Sequence, residues 1–260
     1  MKENRLKTKL QEGKVCLGTF GRLGPAAVEI LGHTGWDFVV IDMEHGGFDI
    51  PHVEHLLRAA RSAGITGLVR VPEPRSSYIM RALDAGAEGV QIPQVETGEQ
   101  AEIVTKAARY YPEGNRGLCS FVRASGYRSI EPDVHISTSN QEVLTVVHME
   151  GELAAKNADK LLDAPGLDVL FLGPWDLSQS LGVPGKTDHP KVIKVIEEVI
   201  ELCQKKGKAV GTFITKPEDA LKWAEKGVQY LMYSTDAGML VQAAREKLKS
   251  MNEVLKTFNN

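Results

Sequence analysis

The stretches Val143-Leu144-Thr145-Val146-Val147-His148-Met149-Glu150 and Leu167-Asp168-Val169-Leu170-Phe171-Leu172-Gly173-Pro174-Trp175-Asp176 decide the reading of this chain. Each is an apolar run of strand length that ends in a carboxylate, and a helical pattern lies between them. If both strands belong to one parallel barrel, Glu150 and Asp176 emerge side by side at its C-terminal rim, where such barrels carry their chemistry. Hard carboxylate oxygens with coordination positions left over suit Mg²⁺ or Mn²⁺.

Outward from these two runs, short β-branched segments alternate with longer helical ones along the whole sequence. Strands are expected at Val15–Phe20, Asp37–Asp42, Gly67–Val71, Gly89–Pro93, Leu144–Met149, Val169–Gly173, Ala209–Phe213 and Tyr230–Tyr233. Helices are expected near Gly24–His33, Ile50–Ser62, Ser76–Ala85, Thr97–Tyr110, Leu153–Leu162, Pro190–Lys206, Pro217–Lys226 and Ala237–Leu255. This is the layout of a parallel sheet covered by helices. Eight βα units fit a closed (β/α)₈ TIM barrel better than an open doubly wound sheet. One domain over residues 1–260 is expected, since such barrels run to this length as a unit. The segment Tyr111–Asn140 is too long for an ordinary βα connection and is expected to be an excursion or lid with a short helix.

Bulk properties exclude several classes. A formal net charge of −3 argues against a nucleic-acid surface. Apolar runs are strand-sized, so no membrane span is expected. The N-terminal stretch Met1-Lys2-Glu3-Asn4-Arg5-Leu6-Lys7 lacks the apolar core of a signal peptide. Cys16, Cys119 and Cys203 show no metal-ligand spacing and read as reduced thiols of a cytoplasmic protein.

Other polar residues fall at strand ends. Ile41-Asp42-Met43-Glu44-His45-Gly46-Gly47 places a histidine just past the second strand, well set for proton transfer at the barrel mouth. Asp42 and Glu44 are each candidates to orient its imidazole. Arg70 interrupts Leu68-Val69-Arg70-Val71-Pro72, where a cation needs a reason. Its planar fork suits a substrate carboxylate, and an ion pair with Asp42 or Asp84 is the competing explanation. Gly173-Pro174-Trp175-Asp176-Leu177-Ser178 offers main-chain N–H groups to an anion, although Asp176 and Glu150 also read as helix caps. His33, His52, His55, His135 and His189 show no partner pattern, and Trp36 and Trp223 read as packing residues.

These motifs resemble the HpcH/HpaI family of class II pyruvate aldolases, which includes 4-hydroxy-2-oxoheptanedioate and 2-dehydro-3-deoxyglucarate aldolases. The similar stretches are Asp37–Gly46, Val69–Pro72, Leu83–Ala87, Arg109–Gly117, Met149-Glu150 and Gly173–Ser178, in order along most of the chain. The resemblance implies a divalent metal on Glu150 and Asp176: Mg²⁺ or Mn²⁺, with Co²⁺ or Zn²⁺ as further options. It implies pyruvate chelating that metal, with Arg70, Gly173, Pro174, Trp175 and His148 along the substrate. His45 supported by Asp42 would be the acid–base group, with Asp84 at a position the family uses to support the site. It further implies a homo-oligomer, a hexamer built as a dimer of trimers, in which the C-terminal helix 237–255 packs on a neighbour. Two residues depart from the family pattern: His148 stands where a glutamine is usual, and Trp175 where an alanine is common.

The expected reaction is reversible cleavage of a 4-hydroxy-2-oxo acid to pyruvate and an aldehyde. Lys14 and Lys208 lie at the opposite end of the barrel, which disfavours a Schiff-base route. The aldehyde is expected to meet the loops Gly21–Gly24, Arg75–Tyr78 and Tyr111–Asn140. Rival readings are oxaloacetate decarboxylation or citramalyl- or malyl-type lysis on the same enolate chemistry, and a non-catalytic barrel that binds a 2-oxo acid.

Overall fold

In the computed structural model, which describes residues 3–256 and 258, the eight expected strands form within two residues of their anticipated bounds. Met1, Lys2, Thr257, Asn259 and Asn260 lie outside the described residues, and with them the outer ends of the 1–260 domain and the first two residues of the N-terminal stretch. The strands are β1 (Cys16–Gly21), β2 (Phe38–Asp42), β3 (Thr66–Arg70), β4 (Gly89–Ile92), β5 (Leu144–Met149), β6 (Val169–Leu172), β7 (Ala209–Ile214) and β8 (Tyr230–Thr235). Each pairs in parallel with the next, and β1 pairs with β8 to close the barrel. The fold is a (β/α)₈ barrel.

Its helices are α1 (Arg5–Gln11), α2 (Pro25–His33), α3 (Ile50–Ala63), α4 (Ser76–Asp84), α5 (Gly98–Ala107), α6 (Pro132–Glu142), α7 (Glu152–Lys156), α8 (Ala158–Leu162), α9 (Pro174–Ser180), α10 (Pro190–Lys205), α11 (Asp219–Glu225) and α12 (Asp236–Lys256). The single helix expected over Leu153–Leu162 is two, because Asn157 leaves helical geometry at φ −98°, ψ 7° and donates its side-chain amide to the Glu96 carbonyl. The excursion after α5 carries α6, as its length suggested. Helix α1 was not anticipated. The Asn4 side chain caps it by accepting the Lys7 N–H. Leu6 and Leu10, four residues apart, share one helical face and join the cluster inside the barrel, so α1 closes its N-terminal end.

Strand alternation divides the apolar residues into two cores. Val39, Ile41, Val69, Val147, Leu170 and Leu172 face outward and pack under the helices. Phe38, Val40, Leu68, Val146, Val169, Phe171, Tyr230 and Met232 face the barrel axis. Burying each large side chain contributes about 1.5–3 kcal/mol. Phe38 and Tyr230 stack with ring centroids 4.2 Å apart. Glycine at 18 makes room for them, since a Cβ there would lie 2.1 Å from the Phe38 ring. The same alternation, carried two residues further along each strand, turns Asp42, Arg70, Gln91 and His148 inward, which assembles the site.

Candidate active site

A cavity of about 320 Å³ opens at the C-terminal rim. Arg22, Asp42, His45, Arg70, His148, Glu150 and Asp176 supply its charged and titratable groups, and Phe20, Phe171, Trp175 and Phe213 its aromatic walls. No lysine lines it. Lys14 pairs with Glu12, and Lys208 binds the Leu167 carbonyl, both at the N-terminal end.

Register places Asp42 beside Arg70 on adjacent strands. Arg70 Nε and Nη2 donate to the two Asp42 oxygens at 2.9 and 2.8 Å, a buried bidentate pair. Nη1 lies 3.0 Å from Glu44 Oε2, and the guanidinium sits over the Phe20 ring at 4.2 Å. Burial would raise the Asp42 pKa, yet the Arg70 pair and the His45 main-chain N–H hold it below its ordinary value. Burial raises that of Glu44 despite the same guanidinium.

This arrangement corrects the role expected of Asp42. Its carboxylate accepts the main-chain N–H of Glu44 and His45, so it fixes the turn rather than the imidazole. Gly46 completes that turn, because a Cβ there would lie 2.0 Å from the Asp42 carbonyl oxygen. The His45 side chain is 63% exposed at the mouth, with Nε2 3.9 Å from Glu44 Oε2. Glu44 is therefore the carboxylate that faces the ring. Asp84 is not brought to this cavity: it closes α4 and pairs with Arg116 at 2.6 Å. The ion-pair explanation for Arg70 is correct as to Asp42 and not as to Asp84, and Arg70 still lines the cavity.

Glu150 follows β5 directly. Its Oε1 accepts the Gln94 main-chain N–H at 2.7 Å, and Oε2 lies 2.9 Å from His148 Nδ1. Burial would raise its pKa, but His148, the Gln94 N–H and Arg70 together depress it to about 2. Asp176 sits in the first turn of α9, whose N-cap is Gly173, and it makes no hydrogen bond or ion pair with any described residue. Neither carboxylate is a helix cap, because Gly151 and Gly173 hold those positions. Gly173 lies against Glu150, since a Cβ there would be 2.9 Å from the Glu150 Cβ.

Among the described residues no group of three or more His, Cys, Asp or Glu side chains converges as a metal cage. The chemistry of the donor set nonetheless fits a hard divalent cation. An unpartnered carboxylate shares a cavity with a second, fully ionised one, and both present oxygen. Water and substrate oxygens would complete such a site.

Of the loops expected to meet the aldehyde, the first contributes Arg22 to the cavity lining, and the other two contribute nothing within this chain. Trp175, Phe213 and Thr235 form that wall instead. A second cleft of about 330 Å³ shares Pro174, Trp175 and Phe213 with the first, so Trp175 lines both. Gln91, Gln94 and Tyr230 were overlooked in the sequence. Gln91 had a signal, a lone amide inside Gly89-Val90-Gln91-Ile92, whereas Gln94 reaches Glu150 through its main chain, which has none, and its side-chain amide donates to Glu44 Oε1 at 3.3 Å.

A closed eight-stranded barrel with carboxylates, an arginine and a histidine gathered at its C-terminal rim has the build of a barrel enzyme. The family model described as HpcH/HpaI aldolase/citrate lyase matches residues 22–243. A hydroxypyruvate/pyruvate aldolase of Paraburkholderia phytofirmans is 32% identical over 255 residues, spanning 95% of this chain and 97% of that protein. A 2-keto-3-deoxy-L-rhamnonate aldolase of Salmonella gallinarum is 32% identical, spanning 96% and 94%. The crystal structure of a family protein from Burkholderia cenocepacia has a TM-score of 0.91 at 32% identity, spanning 96% of this chain and 99% of its own. The chain belongs to the HpcH/HpaI aldolase/citrate lyase family.

Proposed function

We propose that this protein is a class II pyruvate aldolase, a carbon–carbon lyase that cleaves a 4-hydroxy-2-oxo acid reversibly to pyruvate and an aldehyde. The observation that carries this reading is the pairing of ionised Glu150 with unpartnered Asp176 in a lysine-free rim cavity that also holds Arg70 and His45. Both similar aldolases carry the names of 2-oxo acids, hydroxypyruvate and pyruvate in one and 2-keto-3-deoxy-L-rhamnonate in the other.

Glu150 and Asp176 would hold the metal, Mg²⁺ or Mn²⁺ by their oxygen chemistry, with Co²⁺ or Zn²⁺ tolerated. When bound there, it would withdraw charge from the C2 carbonyl oxygen of the substrate. Arg70 has five N–H groups, and its pairing with Asp42 and Glu44 leaves some of them to donate to that oxygen as negative charge develops. Its bidentate pairing keeps the fork in one orientation before substrate arrives. His45, exposed at the mouth and faced by Glu44, takes the proton from the C4 hydroxyl as the C3–C4 bond breaks and returns it to C3, which completes pyruvate. Within Gly173-Pro174-Trp175 the Gly173 N–H is taken by the Met149 carbonyl and proline has none, so the Trp175 N–H is the one that would receive the substrate carboxylate, and the Trp175 indole would line the path of the aldehyde.

The protein is further proposed to be a homo-oligomer, with a hexamer as the family resemblance implies. Support comes from α12, a 21-residue helix whose one buried residue is Asp236 and whose Leu240, Leu248, Met251 and Leu255 are all more than half exposed. A second copy of the chain is the partner that would cover them. Among the described residues no helix is long and apolar enough to cross a membrane; a cytoplasmic location is the matching proposal.

The test is pyruvate release from a racemic 4-hydroxy-2-oxo acid, followed with lactate dehydrogenase, with and without EDTA and with Mn²⁺ restored. Release that EDTA abolishes, Mn²⁺ restores, and Glu150→Ala and His45→Ala both lack is the expected result. Oxaloacetate decarboxylation with no aldehyde product would replace the aldolase by its nearest rival.

A further inference from the structure

His148 stands where the resemblance expects a substrate-binding amide, and the structure gives it another task. The ring is stacked on Phe171 at 4.7 Å between centroids and is 1% exposed. Nδ1 faces Glu150 Oε2 at 2.9 Å, and Nε2 faces Gln91 Nε2 at 2.6 Å. Gln91 is fully buried, and its Oε1 accepts the hydroxyl of fully buried Tyr230 at 2.9 Å. The amide nitrogen also lies 3.7 Å from Met232 Sδ, an acceptor for its second hydrogen. These four side chains run from the barrel axis to the rim.

The direction of every bond in this row follows from the inventory of donors and acceptors. An amide nitrogen only donates, so His148 Nε2 must accept and Nδ1 must carry the ring proton. That proton points at a carboxylate oxygen, which only accepts when ionised. At the inner end the phenol donates to the amide oxygen, which keeps the amide nitrogen turned toward His148. Turning the amide over would leave its oxygen against the Met232 sulfur and the Tyr230 hydroxyl without an acceptor, in a core that excludes water.

We propose that Tyr230, Gln91 and His148 form a one-directional hydrogen-bond chain that fixes the rotamer of Glu150 and so presets the metal site, and that His148 is a positioning residue rather than a substrate or metal ligand. This rests on the metal reading given above. Both ring nitrogens of His148 are occupied, which leaves none for pyruvate or for a cation. A glutamine at the same place also has one donor and one acceptor, so it can continue the chain; leucine cannot.

The test uses Mn²⁺ binding to the full-length apoprotein, followed by electron paramagnetic resonance without substrate, so no turnover is needed. His148→Leu is expected to weaken binding by roughly 10–100-fold, as loss of an outer partner of a metal ligand does. His148→Gln is expected to stay within about threefold of the parent on the same argument. Tyr230→Phe, which touches neither Glu150 nor metal, is expected to weaken binding by roughly three- to tenfold, the size of one buried hydrogen bond. That effect should vanish when introduced into His148→Leu. The imidazole ¹⁵N shifts of the unsubstituted apoprotein, assigned by the signals that His148→Gln removes, give a second readout: Nδ1 protonated and Nε2 bare supports the chain. Unaltered Mn²⁺ affinity in Tyr230→Phe, or a proton on Nε2, overturns it while leaving the aldolase reading in place. Failure of the unsubstituted protein to bind Mn²⁺ overturns both.

Discussion

Replacing Asp42 by asparagine separates two roles that one carboxylate has been given. In the structure it accepts four hydrogen bonds, from Arg70 Nε and Nη2 and from the N–H groups of Glu44 and His45. An asparagine oxygen can keep the main-chain bonds and Arg70 Nε, but its NH₂ then faces Arg70 Nη2, donor against donor. The loss is one charge-assisted hydrogen bond and half of a buried ion pair, with Glu44 left to hold the guanidinium. Buried charges stripped of a partner cost about 3–5 kcal/mol; the surviving Glu44 contact puts the expected loss near the bottom of that range, ~3 kcal/mol. For a chain of this size that lowers Tm by roughly 6–12 °C. Because the folded-state pKa of Asp42 is depressed, its contribution is fully present above the unfolded value of about 3.9 and is lost as pH falls through the folded one. The gap between Asp42→Asn and the parent, measured by urea unfolding from pH 7 downward, should therefore narrow in acid. Substrate binding should weaken with it, through Arg70. A variant as stable as the parent to within about 1 kcal/mol, with its whole defect in kcat and a displaced pH profile, would refute this reasoning and return Asp42 to the imidazole.

Glu150→Gln should bind Mn²⁺ more than roughly 100-fold less tightly, beyond the loss from an outer partner, as titration calorimetry can show; affinity within tenfold would place the metal elsewhere. Trp175→Ala should open the wall that both clefts share and shift kcat/KM toward bulkier aldehydes by roughly 10–200-fold relative to glycolaldehyde, and an unchanged ratio would remove the indole from the acceptor path. Gly18→Ala should cost at least about 1–3 kcal/mol by overpacking against Phe38, read as a lower urea midpoint, with no metal defect in the fraction that folds.

Much of this was legible before any coordinates, and for a definite reason. Strand-length apolar runs and the helical patterns between them are local signals, and eight such units leave few arrangements other than a barrel. Glu150, Asp176, Arg70 and His45 were visible because charged residues at the ends of apolar runs are chemically anomalous. Relations between strands were less accessible. That Asp42 grips Arg70, and that Glu44 rather than Asp42 faces His45, depends on register and on which way a turn closes. The Tyr230–Gln91–His148 row joins three strands separated by 57 and 139 residues, a pairing no local pattern encodes. Helix α1 was the opposite case: Leu6 and Leu10 behind Asn4 spell a short capped helix, and only its brevity hid it.

Half of what orients Glu150 does not belong to a side chain at all. The N–H that reaches its Oε1 is the amide of Gln94, a non-glycine residue held at φ +57°. Alanine scanning of the rim would leave that bond intact and credit the whole effect to His148. A natural variant can likewise keep that bond with another side chain at 94, provided the newcomer tolerates left-handed backbone, as asparagine and glycine do and valine does not, at the loss of the Gln94 amide's hydrogen bond to Glu44 Oε1. As far as Glu150 is concerned, selection at that position acts on a dihedral angle rather than on a side chain.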